Sequence, residues 1–255
     1  MLRAERLNIT LGPAVLILSL DTTTRSGSVA IVRDGIVLHE QTGDAALTHA
    51  QRLPADLMAA CAAAGVTIEA VELFAVAAGP GSFTGLRVGI ATIQGLAMAR
   101  GRKVVPVSTL EAIAAAPRTG AQAVAAWMDA QRGEVFAQVF ERSEAGPRPL
   151  TEAISAAPRE ALRRQADALE HAEFHGDGAL RYRDEILDVR GAAARVAPAA
   201  VPLAGAIGRI AHARADLAVL PHAIVPIYVR RPDAEIARDR RSGASRGADG
   251  PSEPQ

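Results

Sequence analysis

Hydrophobic positions change their spacing repeatedly along this chain, and each spacing predicts a different element. The run "VLILSLD" (15–21) is apolar without a break, as in a strand buried on both faces. "GSVAIVRDG" follows and ends in Asp34–Gly35, a dipeptide suited to a tight hairpin, and "IVLHEQ" returns as a third strand. In "THAQRLPADLMAACAAAG" (48–65), apolar residues recur at Leu53, Leu57, Ala60 and Cys61, the period of a helix, and Gly65 caps its end. "LFAVAAG" (73–79) is another buried strand. A glycine-rich stretch then enters an apolar helix that reaches Arg100. "KVVPVS" reads as a strand. "STLEAIAAA" reads as a helix with Ser108 or Thr109 as cap and Glu111 in its first turn. The order β-β-β-α-β-α-β-α predicts an α/β fold, a mixed sheet with helices on both faces.

A similar opening recurs downstream. "AVAAWMDAQRGEVFAQVFE" (123–141) parallels "LILSLDTTTRSGSVAIVRD": an apolar strand ending in Asp, a polar turn, a glycine, then an alternating strand. Asp129 corresponds to Asp21 and Gly133 to Gly27. Two such halves predict a duplicated lobe with a cleft between the copies. Further helices are expected in "PREALRRQADALEHA" and "AVPLAGAIGRIAHARAD" (200–216), a short strand and turn in "AEFHGDG", and an extended segment in "VPIYVRRP" (225–232). The predicted organisation is a loose extension (1–13), a first lobe (14–118), a second lobe (119–231) and a charged, Ser/Gly/Pro-rich tail (232–255) expected to be disordered.

Composition narrows the function classes. The 255 residues carry 28 basic and 28 acidic side chains, so no global charge favours nucleic acid or an anionic membrane. Aromatics make up 3%, too few for a single-stranded RNA stacking platform. Cys61 is the sole cysteine, which excludes an internal disulfide and a CxxC metal site, and it sits on an apolar helix face. No apolar run nears the roughly 18 residues of a membrane span, and a reducing cytoplasmic location is expected.

Two stretches carry candidate chemistry. Asp21 ends a strand and precedes "TTT". Its carboxylate with Thr22 would suit a nucleotide or a hydrated cation, whereas the plainer reading is a capped polar turn. "AAGPGSFTGLRVGIATIQGLAMA" lacks the lysine of a phosphate-binding P-loop. Ser82 or Thr84 would cap its helix and leave free amides for an anion. Gly81, Gly85 and Gly89 fall four apart on one face, and each interior glycine costs a helix about 1 kcal/mol relative to alanine. Something must therefore pack closely there, either inside the lobe or from a second protein; spacing alone favours the inside. His171 and His175 have a zinc-pair spacing only if helical. In a strand, residues four apart lie about 13 Å apart.

"ILSLDTTTRSGSVAIVRDG", "FAVAAGPGSFTGLRVGIATIQGLA", "VVPVSTLEAIA" and "DAQRGEVFAQVF" resemble, in order and spacing, the TsaB (YeaZ) family. The resemblance spans about residues 15–140, and returns faintly at "VPIYVRR". It implies an ASKHA architecture (actin, sugar kinase, Hsp70) of two ribonuclease-H-like lobes. It further implies a non-catalytic subunit in the synthesis of threonylcarbamoyladenosine next to the tRNA anticodon. In that pathway the metal-bearing transferase TsaD is the partner and the ATPase TsaE joins them; with zero net charge and few aromatics, contact of this chain with tRNA is expected to be indirect. The catalytic relative holds its metal with an HxxxH pair; here His49 is followed by Leu53. No catalytic or metal-binding residue is therefore expected, and no tightly bound cofactor, with ATP or ADP at the interface of the complex left open.

The resemblance also implies that the helix after "GPGSFTG" and the helix of His49 form an intermolecular bundle. The expected partner face comprises His49, Arg52, Leu53 and Asp56 with Gly81, Ser82, Thr84, Gly85, Arg87 and Gly89, and it would pair two copies of the chain when the partner is absent. On that basis Gly89→Leu should leave the subunit folded and block association. The competing readings are a free-standing kinase or hydrolase of the same fold, and a self-associating structural protein.

Overall fold

The computed structural model describes residues 15–116 and 119–230. The extension 1–13, the tail 232–255 and the first-lobe terminus at 117–118 lie outside the described residues. The first half forms β1 (Leu16–Asp21), β2 (Ser28–Arg33), β3 (Ile36–Thr42), α1 (His49–Ala63), β4 (Leu73–Gly79), α2 (Phe83–Arg100), β5 (Lys103–Ser108) and α3 (Thr109–Ala115). The second forms β6 (Ala123–Asp129), β7 (Val135–Ser143), β8 (Gly146–Pro149), β9 (Ile154–Ala156), α4 (Pro158–Arg164), β10 (Ala172–His175), α5 (Asp177–Arg181), α6 (Arg183–Arg190), β11 (Arg195–Val196) and α7 (Ala204–Ala213).

The two sheets repeat one plan. The first has strand order β3-β2-β1-β4-β5 and the second β11-β10-β6-β7-β8, with β9 added against β7. In each, an antiparallel pair (β1/β2, β6/β7) meets parallel neighbours (β4 and β5, β10 and β11). Asp21 and Asp129 end the equivalent strands, as the sequence repeat predicts. This is the ASKHA arrangement.

Strand alternation builds the layers. Leu16, Leu18 and Leu20 face α1 and α2 with Phe74 and Val76, whereas Ile17, Ala75 and Val105 face the opposite way toward α3 and α7. That second core continues into Val124, Ala126, Met128 and Phe136 of the second sheet, so α3 and α7 lie between the sheets. The outer face of the second sheet buries Trp127, Phe174, Leu162 and Ile186. Being buried on both faces, β1 and β4 have no polar alternation.

Helix α7 departs from the expected lobe division. It follows the second sheet in sequence but packs on β1 and β2 of the first. Its N-terminal amides are taken up there: Leu203 and Ala204 N–H donate to Ser28 Oγ (3.1 and 3.0 Å), and Gly205 N–H to Glu40 Oε1 (2.7 Å). The segment after it stays with the first lobe. Val219 bridges to Val104, and Ile227 N–H donates to Ala78 O at 2.7 Å. Residues 203–227 therefore do not belong to the second lobe, because one face of the first sheet needs them as cover. Among the described residues, the extended segment at 225–230 makes that single backbone bond and forms no strand.

The glycine face of α2 is internal. Gly85 and Gly89 are buried together with Leu86, Ile90 and Ile93. A Cβ on Gly85 would collide with the carbonyl of Thr22, and one on Gly89 with its hydroxyl. Gly95 faces open space. The expectation for Gly89→Leu is thereby reversed. The variant should lose about 3 kcal/mol or fail to fold, as overpacking against the buried, hydrogen-bonded Thr22 side chain does, whereas Gly95→Ala should gain roughly 0.5–1 kcal/mol from helix propensity. Thermal unfolding followed by circular dichroism checks both.

Candidate functional site

The turn after β1 is closed by its own side chains. The Asp21 carboxylate accepts from Thr23 N–H (2.8 Å) and from the hydroxyls of Thr23 (2.5 Å) and Thr24 (2.6 Å). Asp21 is 1% exposed, and Thr22 turns inward to donate to the Gly85 carbonyl at 2.7 Å. The two residues assigned to nucleotide binding are therefore engaged in the turn and its contact with α2. A buried carboxylate is most cheaply satisfied by nearby amides and hydroxyls, and the geometry here is that of a capped polar turn.

Helix α1 locks the same turn from the other side. Thr48 starts it, its N–H donating to Gln51 Oε1 at 2.9 Å. His49 Nε2 lies 3.1 Å from the Thr24 carbonyl, which can only accept, so Nε2 carries the proton. Nδ1 is then the acceptor for Arg52, whose Nη2 lies 2.8 Å away. The Arg52 guanidinium also donates to the Ser26 carbonyl and pairs with Asp56. Burial, and next the charge of Arg52, hold the His49 pKa below its ordinary 6.5. With both ring nitrogens engaged and Leu53 buried in the core, this histidine serves as a neutral strut.

The expected partner face therefore divides. Ser82, Thr84 and Arg87 are exposed, and Gly81 is half-buried. Arg52, Leu53, Gly85 and Gly89 are buried, His49 reaches the Thr24 carbonyl of the Thr22–Gly27 turn, and Asp56 pairs with Arg52. What the two helices do present outward is a different set, which the sequence reading missed: Ala55, Met58, Ala59 and Ala62 on α1, and Ala91, Gly95 and Met98 on α2. Met58 and Met98 are 61% and 66% exposed. The available signal was their offset from the core stripes (53, 57, 60, 61 and 86, 90, 93, 97), which leaves small and apolar residues on the far side of both helices.

In the second sheet, the counterpart turn is also internally satisfied. Asp129 accepts from Gln131 N–H (3.0 Å) and pairs with Arg181 (3.2 Å), while Gln131, Arg132 and Gly133 take left-handed φ values of 61°, 57° and 79°. Asp177 accepts from Asp129 N–H at 3.1 Å. Burial, then the neighbouring Asp129 and Asp21 charges, push its pKa up. His171 and His175 bracket β10, so they form no helical pair. His175 is buried beside Glu173.

The neutral His49 strut sets a pH dependence. Its folded pKa is lowered, so its stabilising contribution is complete above the unfolded value near 6.5 and is lost as pH falls toward the folded value. His175, also lowered chiefly by burial, acts in the same direction. The melting temperature should drop from pH 7.5 to 5.5, and His49→Gln should remove part of that drop; equal drops in both proteins would refute the strut.

Comparisons with known proteins agree with this architecture. The family model for TsaD, tRNA N6-adenosine threonylcarbamoyltransferase, matches residues 35–176. An uncharacterized protein of Mycobacterium tuberculosis is 33% identical over 86% of this chain and 93% of its own length. The tRNA threonylcarbamoyladenosine biosynthesis protein TsaB of Escherichia coli is 37% identical over 51% of this chain and 57% of its own. Among solved structures, a Pseudomonas aeruginosa protein described as similar to peptidase YeaZ superposes with a TM-score of 0.70 at 30% identity, covering 85% of this chain and all of that one. Pseudomonas aeruginosa YeaZ itself gives 0.65 at 29% identity. With its duplicated sheets, its closed strand-end turns and these matches, the chain belongs to the TsaB (YeaZ) family, within the wider group that the TsaD family model describes.

Proposed function

We propose that the chain is a non-catalytic partner subunit for threonylcarbamoyladenosine formation in tRNA. It would dock a TsaD-type transferase through the outer faces of α1 and α2, with a TsaE-type ATPase joining the pair. The observation that carries this reading is the contrast between the two sides of these helices. Their inner sides seal the first lobe's turn, consuming Asp21, Thr22, His49 and Arg52. Their outer sides expose methionine, alanine and glycine, which allow a second helix layer to approach closely. The relatives named for threonylcarbamoyladenosine synthesis support the pathway. In the absence of the transferase the same surface would pair two copies of this chain. Among the described residues no helix is long and apolar enough to cross a membrane, and a tRNA-modifying role fits the cytoplasm.

The test is reconstitution. Transferase, ATPase, tRNA, ATP and threonylcarbamoyl-adenylate are combined with and without this protein, and modified adenosines are counted. Modification should require the protein, and the protein alone should yield none. Gly95→Arg faces open space and should keep the melting temperature within a few degrees. It should nevertheless abolish both association and stimulation. Modification by this protein alone, or none of it depending on this protein, would overturn the reading.

A further inference from the structure

Phe83 and Tyr228 stand apart from the other aromatic residues. The chain has one Trp, two Tyr and five Phe. Phe74, Trp127, Phe136, Phe140 and Phe174 are buried, and Tyr182 is half-buried. Phe83 and Tyr228 are 43% and 42% exposed, and they sit together, ring centroids 6.0 Å apart. Arg87 lies over Phe83, its Cζ 3.8 Å from the ring centroid. The pair is held in place: Phe83 opens α2, and Tyr228 follows Ile227, whose N–H is bonded to Ala78.

Two cations at this end of the lobe have no hydrogen-bond or ion-pair partner among the described residues. Arg87 makes no hydrogen bond or ion pair among the described residues, and neither does exposed Arg25. Arg25 belongs to the Thr22–Gly27 turn, which meets the start of α2 through Ser82 N–H to Thr23 O (3.1 Å). The nearby acids are already committed. Asp21 is buried in its turn, and Asp56 pairs with Arg52. The unpaired Arg87 guanidinium and two exposed rings thus form a patch continuous with Thr84, Ala91 and Met98 along α2, with Arg25 on the adjoining turn.

We infer that this patch is a clamp for a carboxylate-bearing segment of the partner protein, an inference that rests on the partner-subunit reading. A guanidinium held against a ring keeps its fork of N–H donors available for bidentate pairing with an Asp or Glu. The rings take the apolar stem beside that carboxylate, and Arg25 adds a second positive charge. A polypeptide is favoured over RNA because the patch runs directly into the apolar, small-residue surface of α1 and α2, and because net charge is zero with few aromatics. The clamp would set the register of the docked helix, as a charged group at the rim of an apolar interface does.

The experiment measures affinity for the purified TsaD-type transferase by titration calorimetry at about 50 and about 300 mM salt, alongside binding to tRNA. Wild type should bind and weaken as salt rises. Arg87→Ala should fold normally, lose about tenfold or more in affinity and show a flatter salt dependence. Phe83→Ala should weaken binding in the same direction, and Arg87→Lys should restore it only in part. If wild type binds but Arg87→Ala binds equally well with the same salt slope, the clamp is wrong while the partner reading stands. If wild type fails to bind at either salt, both fall. If Arg87→Ala loses tRNA binding and retains the transferase, the patch is an RNA contact and the clamp is overturned.

Discussion

Helix α2 rests directly on Thr22, with Gly85 against its carbonyl and Gly89 against its side chain, and much of the first lobe depends on that contact. Two interior glycines give up about 2 kcal/mol of helix propensity. The helix recovers more by burying Leu86, Ile90 and Ile93, each worth about 1.5–3 kcal/mol. Close approach is what brings those side chains onto β4 and β1. It also traps the Thr22–Gly27 turn between α2 and α1, where Asp21, His49 and Arg52 complete its hydrogen bonding. The glycine face is thus the foundation on which the outward faces of both helices are held.

That arrangement explains why the strand-end carboxylates are spent locally. In each lobe the first strand ends in Asp and the chain must reverse, so the side chain and the turn amides find one another. In the first lobe the satisfied turn is then covered by α1.

Much of the fold is legible in the residues themselves. Unbroken apolar runs mark β1 and β4, Asp34–Gly35 forms the hairpin with φ values of 50° and 77°, and the repeat of Asp21 at Asp129 reveals the duplication. The second half is harder to read because its elements are short and irregular. The expected long helix at 158–172 stops at Arg164, where the Gln165 side chain is buried and donates to Thr151 Oγ1 (3.0 Å). Helices α5 and α6 span "DGALR" and "RDEILDVR", lengths over which a period of 3.6 is barely visible. At the site, glycine spacing defines a face but not what covers it. Sequence spacing alone pointed to internal packing, as the structure has it, and the resemblance to a family with an intermolecular bundle moved that face outward. The outer surface of α1 and α2 is legible only as the remainder once the core stripes are drawn, and the Phe83–Tyr228 pair is not legible at all, because Tyr228 reaches Phe83 only through the fold.

The return of α7 to the first sheet has a consequence for how the chain is made. Synthesis delivers all five strands of that sheet, with α1 and α2 to cover one face, well before Ala204 emerges. Until then its other face, with Ile17, Val32 and Val105, lacks α7. A nascent chain paused anywhere in the second half therefore presents an apolar sheet surface, the kind that ribosome-associated chaperones engage. The duplicated halves look separable on paper, yet neither is a module: the first repeat matures only when the last helix arrives to close it.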